Sequence, residues 1–442
     1  MTVITPENVH KVLGDYILAD GFDLVLDLRK SQGCRMYDSK REAWFLDFFS
    51  FFASSPVGFN HPEMANPDFV RKIGEVAVNK PSNSDIYTIE MAEFVQAFAK
   101  IAKPDSMKYL FFISGGALAV ENAFKTAMDW KVRKNKAKGI EGEKGYKIIH
   151  FMQSFHGRSG YTLSVTNTYD KRKTKYFPKF DWPRITNPKL TFPLNEENIQ
   201  KAVQLEIKAV QEIEAAIAEN GDDISAIVIE PIQGEGGDNH FRPEFFQKLR
   251  NICDSHDLLL IVDEIQTGIG ITGKMWAYQH YGFEPDIIVF GKKTQICGIM
   301  VSDKIDDVEN HVFKESSRIN STFGGNIVDM VRSQKFLEII DQENLVAKAA
   351  QTGSYLIRQL YDLGGRYKDL ISNIRGRGLM CSFDLPDAEF RGRLIQTIYA
   401  NNMIILPCGR SSLRFRPPLN IGEDDIDAGI DIIEQSIQTL IG

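Results

Sequence analysis

Two lysines stand side by side behind an apolar run in DIIVFGKKTQICGIM, Asp286 to Met300. A lysine amine becomes a useful nucleophile when burial or neighbouring charge lowers its pKa, and the end of a buried strand offers that. The commonest chemistry for a lysine so placed is a Schiff base with an aldehyde. A solvated loop lysine fits this motif equally well, so other strand ends must decide. In LLLIVDEIQTG, five apolar residues lead to Asp263. A buried carboxylate takes up a proton unless a cation meets it, and a pyridinium nitrogen is such a cation. Acids at strand ends also cap helices or bind metals. Asp263 and Lys292 are separated by one helix plus one strand, which places both at one edge of a sheet.

Five further stretches carry polar groups of the same kind. FFISGGALAVENAFKTAMDW reads as a strand, a glycine turn and a helix whose first N–H groups can bind phosphate. It lacks the third glycine of a dinucleotide fingerprint and the GK[ST] of a Walker loop; a plain strand–turn–helix fits it too. SFHGRSGY offers Phe155 as a stacking surface, with His156 beside it and Arg158 as an anion clamp, although core packing is the plainer reading of Phe155. IEPIQGEGG sets Glu230 and Glu235 at another strand end. NSTFGGN holds the Thr322 hydroxyl in a glycine-rich turn, suited to a phosphate. In SLRFRPPL, Arg414 or Arg416 can grip a carboxylate through two parallel N–H groups. Each stretch is ambiguous alone; six in one chain converge on one site.

The elements that must position these groups are visible as patterns. YKIIHFM, SAIVIEPI, LLLIVDEI and DIIVFG are continuous apolar runs without polar alternation, as in strands buried on both faces. Between them, residues 199–219 place Val203, Ile207, Val210, Ile213 and Ile217 on one helical stripe. Strands alternating with helices predict an α/β architecture with a mainly parallel sheet. From about Val331 amphipathic helices surround GRGLMCSFDL and SLRFRPPL, and Ile426, Ile430, Ile433 and Ile437 close the chain at helical spacing. The expected division is an N-terminal segment 1–60 of a smaller domain, a large domain 61–330, and a C-terminal part 331–442 of the smaller domain.

A formal charge of −7 argues against nucleic acid or an anionic membrane as partner. The basic stretch Lys131 to Lys147 reads as an exposed helix end, and YDKRKTKYFPKFDWPR as a surface loop. Five dispersed cysteines without a CxxC pair predict reduced thiols, not disulfides or a metal site. No secretory signal or membrane span is expected, and the protein is expected in the cytoplasm.

Taken in order, SGGA, FHGR, EPIQGEGG, DEIQTG, GKKTQ, STFGGN and RFRPP resemble the class III, ornithine-type aminotransferases over essentially the whole chain. FFASS, NKPSNSD, GGALAVENA, FPKFDWPRI, GEGGDNHFRPEFF and FGKKTQICG are similar to members acting on the ε-amino group of L-lysine. Other members carry SGTEAN at the phosphate turn and a glycine-rich run after the lysine; this chain departs from both. The resemblance implies an aspartate-aminotransferase-like fold (fold type I), with a mainly parallel seven-stranded sheet and a smaller α+β domain from both chain ends. It implies pyridoxal 5'-phosphate as cofactor, L-lysine and 2-oxoglutarate as substrates, and a homodimer with sites at the subunit interface. Carried over by position, Lys292 forms the Schiff base and Asp263 meets the pyridinium nitrogen. Gln266 reaches the phenolic oxygen, Ile265 and Phe155 cover the two ring faces, and His156 adjoins them. Gly116 and Ala117 bind the phosphate, and Thr322 reaches it from the other subunit. Arg414 receives an α-carboxylate, Glu235 covers Arg414, Arg158 holds the far carboxylate, and Asn320 recognises the lysine head group. Phe52 and Ala53 line the aliphatic passage.

Overall fold

Alternate residues of the apolar runs point to opposite sides of one sheet, and both sides are buried. In a computed structural model, which describes residues 3–442, the runs form strands Lys147–Phe151, Ile224–Ile229, Leu259–Asp263 and Ile287–Phe290. Leu259, Ile261, Ile287 and Val289 pack on the side of helix Gly116–Ala137, whereas Leu260, Val262, Ile288 and Phe290 enter the core on the other side. A strand with two apolar faces needs a cover on each, which explains the absence of polar alternation. The first two residues of the expected segment 1–60 lie outside the described residues.

The sheet has seven strands in the order Met107–Ile113, Cys297–Ser302, Ile287–Phe290, Leu259–Asp263, Ile224–Ile229, Lys147–Phe151 and Arg184–Ile185. Cys297–Ser302 runs antiparallel to both of its neighbours, and the other neighbouring strands are parallel. The parallel strands therefore end at one edge, where ligands bind in open α/β sheets.

The helix expected over 199–219 spans Glu196–Asn220, but its buried stripe is turned by one residue. Ala202, Glu206, Ala209, Ile213, Ala216 and Ile217 face inward, and Ile207 is exposed. Glu206 takes the inward place because Lys248 and Arg242 lie 3.2 and 3.7 Å from its oxygens. Lys131, expected on an exposed helix end, is also buried; its Nζ donates to the Asp257 carbonyl at 3.0 Å.

Both chain ends build the smaller layers. Arg35–Asp38 and Ala43–Asp47 pair antiparallel, and Met403–Ile404 adds to Ala43–Asp47 in parallel. Ser372–Arg377, Met380–Asp384, Ser412–Phe415 and Leu406–Cys408 form an antiparallel sheet. The change of pattern near Val331 falls inside helix Ile327–Gln342. Ile426, Ile430, Ile433 and Ile437 bury one stripe of helix Glu423–Ile441. Among the described residues, no helix is long and apolar enough to cross a membrane.

Candidate active site

Residues from five strand ends and the turns behind them line one cavity of about 440 Å³. Strand Met107–Ile113 turns through Ser114 and Gly115 into helix Gly116–Ala137, which has no side-chain cap at its start. The first N–H groups of such a helix lack intrahelical acceptors, and Gly116 and Ala117 line the cavity. A Cβ on Gly116 would lie 3.0 Å from Ile265 Cδ1, and one on Gly157 would lie 2.6 Å from Ala117 Cβ. Bare backbone keeps this end of the cavity open.

Asp263 is buried at the end of its strand. Its Oδ2 accepts a hydrogen bond from His156 Nδ1 at 2.8 Å, and Oδ1 accepts from the Ile265 N–H at 3.1 Å. His156 Nε2 is buried without a partner. Glu230 is a clamp: its oxygens accept from the N–H groups of Phe155 at 2.8 Å and Gly234 at 3.0 Å. Burial, with Asp263 nearby, pushes its pKa well above the carboxylate range.

The two lysines part company. Lys292 follows Gly291 in left-handed backbone, φ 55°, and lines the cavity. Burial, reinforced by Arg414 and Arg416, lowers the pKa of its amine to about 8. Lys293 is buried and donates to the Gln266 carbonyl at 3.0 Å. Burial and the charge of Lys292 hold its pKa well below the usual lysine range. Lys292 Nζ lies 5.7 Å from the centroid of Phe52, which belongs to a left-handed turn with φ between 38° and 65° over Ser50–Ala53. Such backbone costs roughly 1–2 kcal/mol per residue, which the surrounding packing must offset. Ala53, expected beside Phe52 on the passage, belongs to the core instead and is absent from the cavity lining.

The two candidate arginines also differ. Arg416 is buried against Asp238, whose Oδ2 accepts from Nη1 at 3.0 Å. Arg414 is buried with Nη1 on Gln266 Oε1 at 3.2 Å and Nε without a partner. Arg414, not Arg416, lines the cavity. Gln266 Oε1 also accepts from Arg416 Nη2 at 3.0 Å; a Cβ on Gly234 would lie 2.2 Å from this oxygen. Glu235 shares the wall but does not bond Arg414. Its Oε1 accepts from Thr168 Oγ1 at 2.6 Å and from Lys173 Nζ at 2.7 Å, and its Oε2 is buried without a partner. Arg158 lines the cavity, is exposed, and has no hydrogen-bond or ion-pair partner among the described residues.

Of the residues expected from the sequence, this chain brings together Gly116, Ala117, Phe155, His156, Arg158, Glu235, Asp263, Ile265, Gln266, Lys292 and Arg414. Asn320 and Thr322 are exposed on another loop and do not line the cavity. Ser82 donates to the Thr322 carbonyl, Ser84 to that of Ser321. Sequence reasoning missed Lys173, Thr168 and Cys297, and gave Glu230 no role. Lys173 sits in YDKRKTKYFPKFDWPR, where nothing in the spacing marks which lysine turns inward.

The lining residues fit pyridoxal phosphate. Asp263 offers an oriented carboxylate, and Lys292 an amine of lowered pKa. Gly116 and Ala117 offer uncapped N–H groups, and Phe155 and Ile265 offer apolar surface. No group of three His, Cys, Asp or Glu placed to hold a metal ion occurs among the described residues.

Comparison with known proteins agrees with this chemistry. The family model Aminotransferase class-III matches residues 18–437. L-lysine-epsilon aminotransferase of Mycobacterium tuberculosis is 47% identical over 434 residues, covering 98% of this chain and 96% of that protein. The protein of that name from Streptomyces clavuligerus is 45% identical, covering 98% and 94%. The structure of lysine aminotransferase from M. tuberculosis in the internal aldimine form matches with a TM-score of 0.97 at 46% identity, covering 99% of this chain and 100% of that one.

Proposed function

The chain belongs to the class III aminotransferases, and from that premise we propose that it transfers the ε-amino group of L-lysine to 2-oxoglutarate, giving 2-aminoadipate 6-semialdehyde and L-glutamate. The observation that carries this reading is one cavity holding both an amine of lowered pKa and a buried arginine with a free Nε. Near-full-length similarity to proteins named L-lysine-epsilon aminotransferase supports the donor. The unpaired Arg414 supports an acceptor that brings a carboxylate to the reacting end.

Bound pyridoxal phosphate supplies an aldehyde carbon that takes up an amine and a pyridinium ring that draws in the electron pair of the carbon losing its proton. The residues of the chain do the rest. Asp263, oriented by His156 and the Ile265 N–H, would keep the ring nitrogen charged. Lys292 would hold the aldehyde, and its free amine would act as the base that moves a proton off the substrate carbon. Its lowered pKa makes the neutral amine accessible near neutral pH. Gly116 and Ala117 would hold the phosphate, Phe155 and Ile265 would cover the ring, and Gln266 would meet its phenolic oxygen. Thr322 reaches the phosphate from a second copy, so the active unit is a homodimer, and Asn320 on the same loop reads the lysine head group. Arg158 holds the far carboxylate of the substrate. The smaller domain comprises 1–60 and 331–442 around the large domain 61–330, and the enzyme works in the cytoplasm.

One cavity must accept two unlike molecules. Beside the reacting carbon L-lysine has hydrocarbon, whereas 2-oxoglutarate has a carboxylate. A buried guanidinium against hydrocarbon is an uncompensated charge. Glu235 therefore covers Arg414 while lysine reacts and leaves it when the keto acid arrives. The test is spectroscopic: L-lysine bleaches the yellow enzyme and 2-oxoglutarate restores the colour. A panel of ornithine, 4-aminobutyrate and acetylornithine, scored by semialdehyde formation, tests the donor. Faster bleaching by any of these, or no recovery with 2-oxoglutarate, would contradict the assignment.

A further inference from the structure

The wall between Glu235 and Arg414 contains a third charge. Lys173, on the short turn Lys171–Lys173, bonds Glu235 Oε1 at 2.7 Å, and Thr168 bonds the same oxygen at 2.6 Å. Phe52, Lys173, Glu235 and Arg414 line both the cavity described above and a second one of about 600 Å³ that adjoins it. They form the partition between the two. The backbone of Glu235 is fixed, because its carbonyl accepts from the Gly409 N–H at 2.8 Å, so only its side chain has freedom to change partners. Two buried atoms in this partition, Glu235 Oε2 and Arg414 Nε, are complementary and unpaired.

Exposure distinguishes the two cations. The Lys173 side chain is 33% exposed, and Arg414 is 5% exposed. When Glu235 leaves Lys173, water solvates the ammonium; off Glu235, the Arg414 guanidinium keeps the neutral Gln266 Oε1 at 3.2 Å as its side-chain partner and has room for a ligand carboxylate. Lys173 is thus the partner that can be released at low cost.

We propose that Lys173, with Thr168, is the berth that holds the Glu235 carboxylate off Arg414, so that Lys173 sets how well the cavity takes a dicarboxylate. The inference rests on the two-substrate reading above and supplies the element that reading lacks, a place for Glu235 while Arg414 is in use. Lys173 is a positioning residue, acting through Glu235. With Lys173 replaced, Glu235 turns to Arg414, and a ligand carboxylate must displace it.

The test is the dissociation constant of glutarate, a dicarboxylate that cannot exchange an amino group, measured by calorimetry on the cofactor-loaded enzyme. Lys173→Met is expected to weaken binding roughly tenfold or more, the scale of a lost charged hydrogen bond. Lys173→Arg should restore most of it, and Thr168→Val should give a smaller loss of the same sign. In a Glu235→Gln background, Lys173→Met should have little effect, because no carboxylate remains to be held. Equal losses in both backgrounds, an unchanged constant in Lys173→Met, or no measurable binding by the unmodified enzyme would overturn the proposal. Glutarate carries no amine, so these outcomes are separate from any failure of L-lysine as donor.

Discussion

The floor and the far wall of the cavity are built on opposite rules. On the floor three buried titratable groups are held in place: Asp263 by His156 and the Ile265 N–H, Glu230 by the N–H groups of Phe155 and Gly234, and Lys293 by the Gln266 carbonyl. On the wall Glu235 Oε2 and Arg414 Nε are buried without partners among the described residues, and the exposed Arg158 has none among them either. A group tied by hydrogen bonds to fixed neighbours keeps one arrangement, which suits groups that must meet a reacting atom in fixed geometry. An unsaturated set has spare capacity, which a ligand or a neighbouring side chain can take up. Chemistry is assigned to the floor and recognition to the wall.

Changes to the floor should therefore damage both half-reactions alike, and changes to the wall should split them. The largest effect is expected from Lys292→Ala, with both half-reactions slowed on the order of 10⁴-fold, the upper range for loss of an acid–base group. Single-turnover absorbance would show it, and a loss below tenfold would break the distinction. Asp263→Asn should cost about 10²- to 10³-fold, again equally with L-lysine and 2-oxoglutarate. A cofactor-stripped protein should capture pyridoxal phosphate about tenfold more slowly per pH unit below 8, because the Lys292 pKa is lowered to about 8 and only the neutral amine attacks. At pH 7 about one amine in ten is then neutral, against roughly one in 3,000 for an unperturbed lysine. A midpoint above pH 10 would show that burial does not act on this amine. Glu235→Ala is the smallest and the most diagnostic: the L-lysine half-reaction should lose about tenfold more than the glutamate half-reaction, and equal losses would count against the alternating partner of Arg414.

Legibility in the sequence follows the same division. Leu258 to Val262 before Asp263, and Ile287 to Phe290 before Lys292, are strand ends because no polar alternation interrupts them, so the floor could be read from local pattern. The one-residue turn of the buried helical stripe in Glu196–Asn220 could not, because Glu206 enters the core through Arg242 and Lys248, more than thirty positions away. SLRFRPPL left Arg414 and Arg416 equivalent, since it does not contain Asp238, which occupies Arg416 and frees Arg414. Lys173 was hidden for a related reason: its loop has a surface composition, and only the tertiary approach of Glu235 turns it to the cavity. Asn320 and Thr322 lie outside the cavity of their own chain, and the assignment of Thr322 to a neighbouring copy rests on the family resemblance.

Borohydride reduction of the yellow enzyme, followed by peptide mass mapping, locates the residue that carries the cofactor. A reduced pyridoxyl-phosphate adduct is expected on Lys292 and none on the adjacent Lys293. An adduct on Lys293 or elsewhere, or an enzyme saturated with the cofactor yet yielding no adduct, would contradict it.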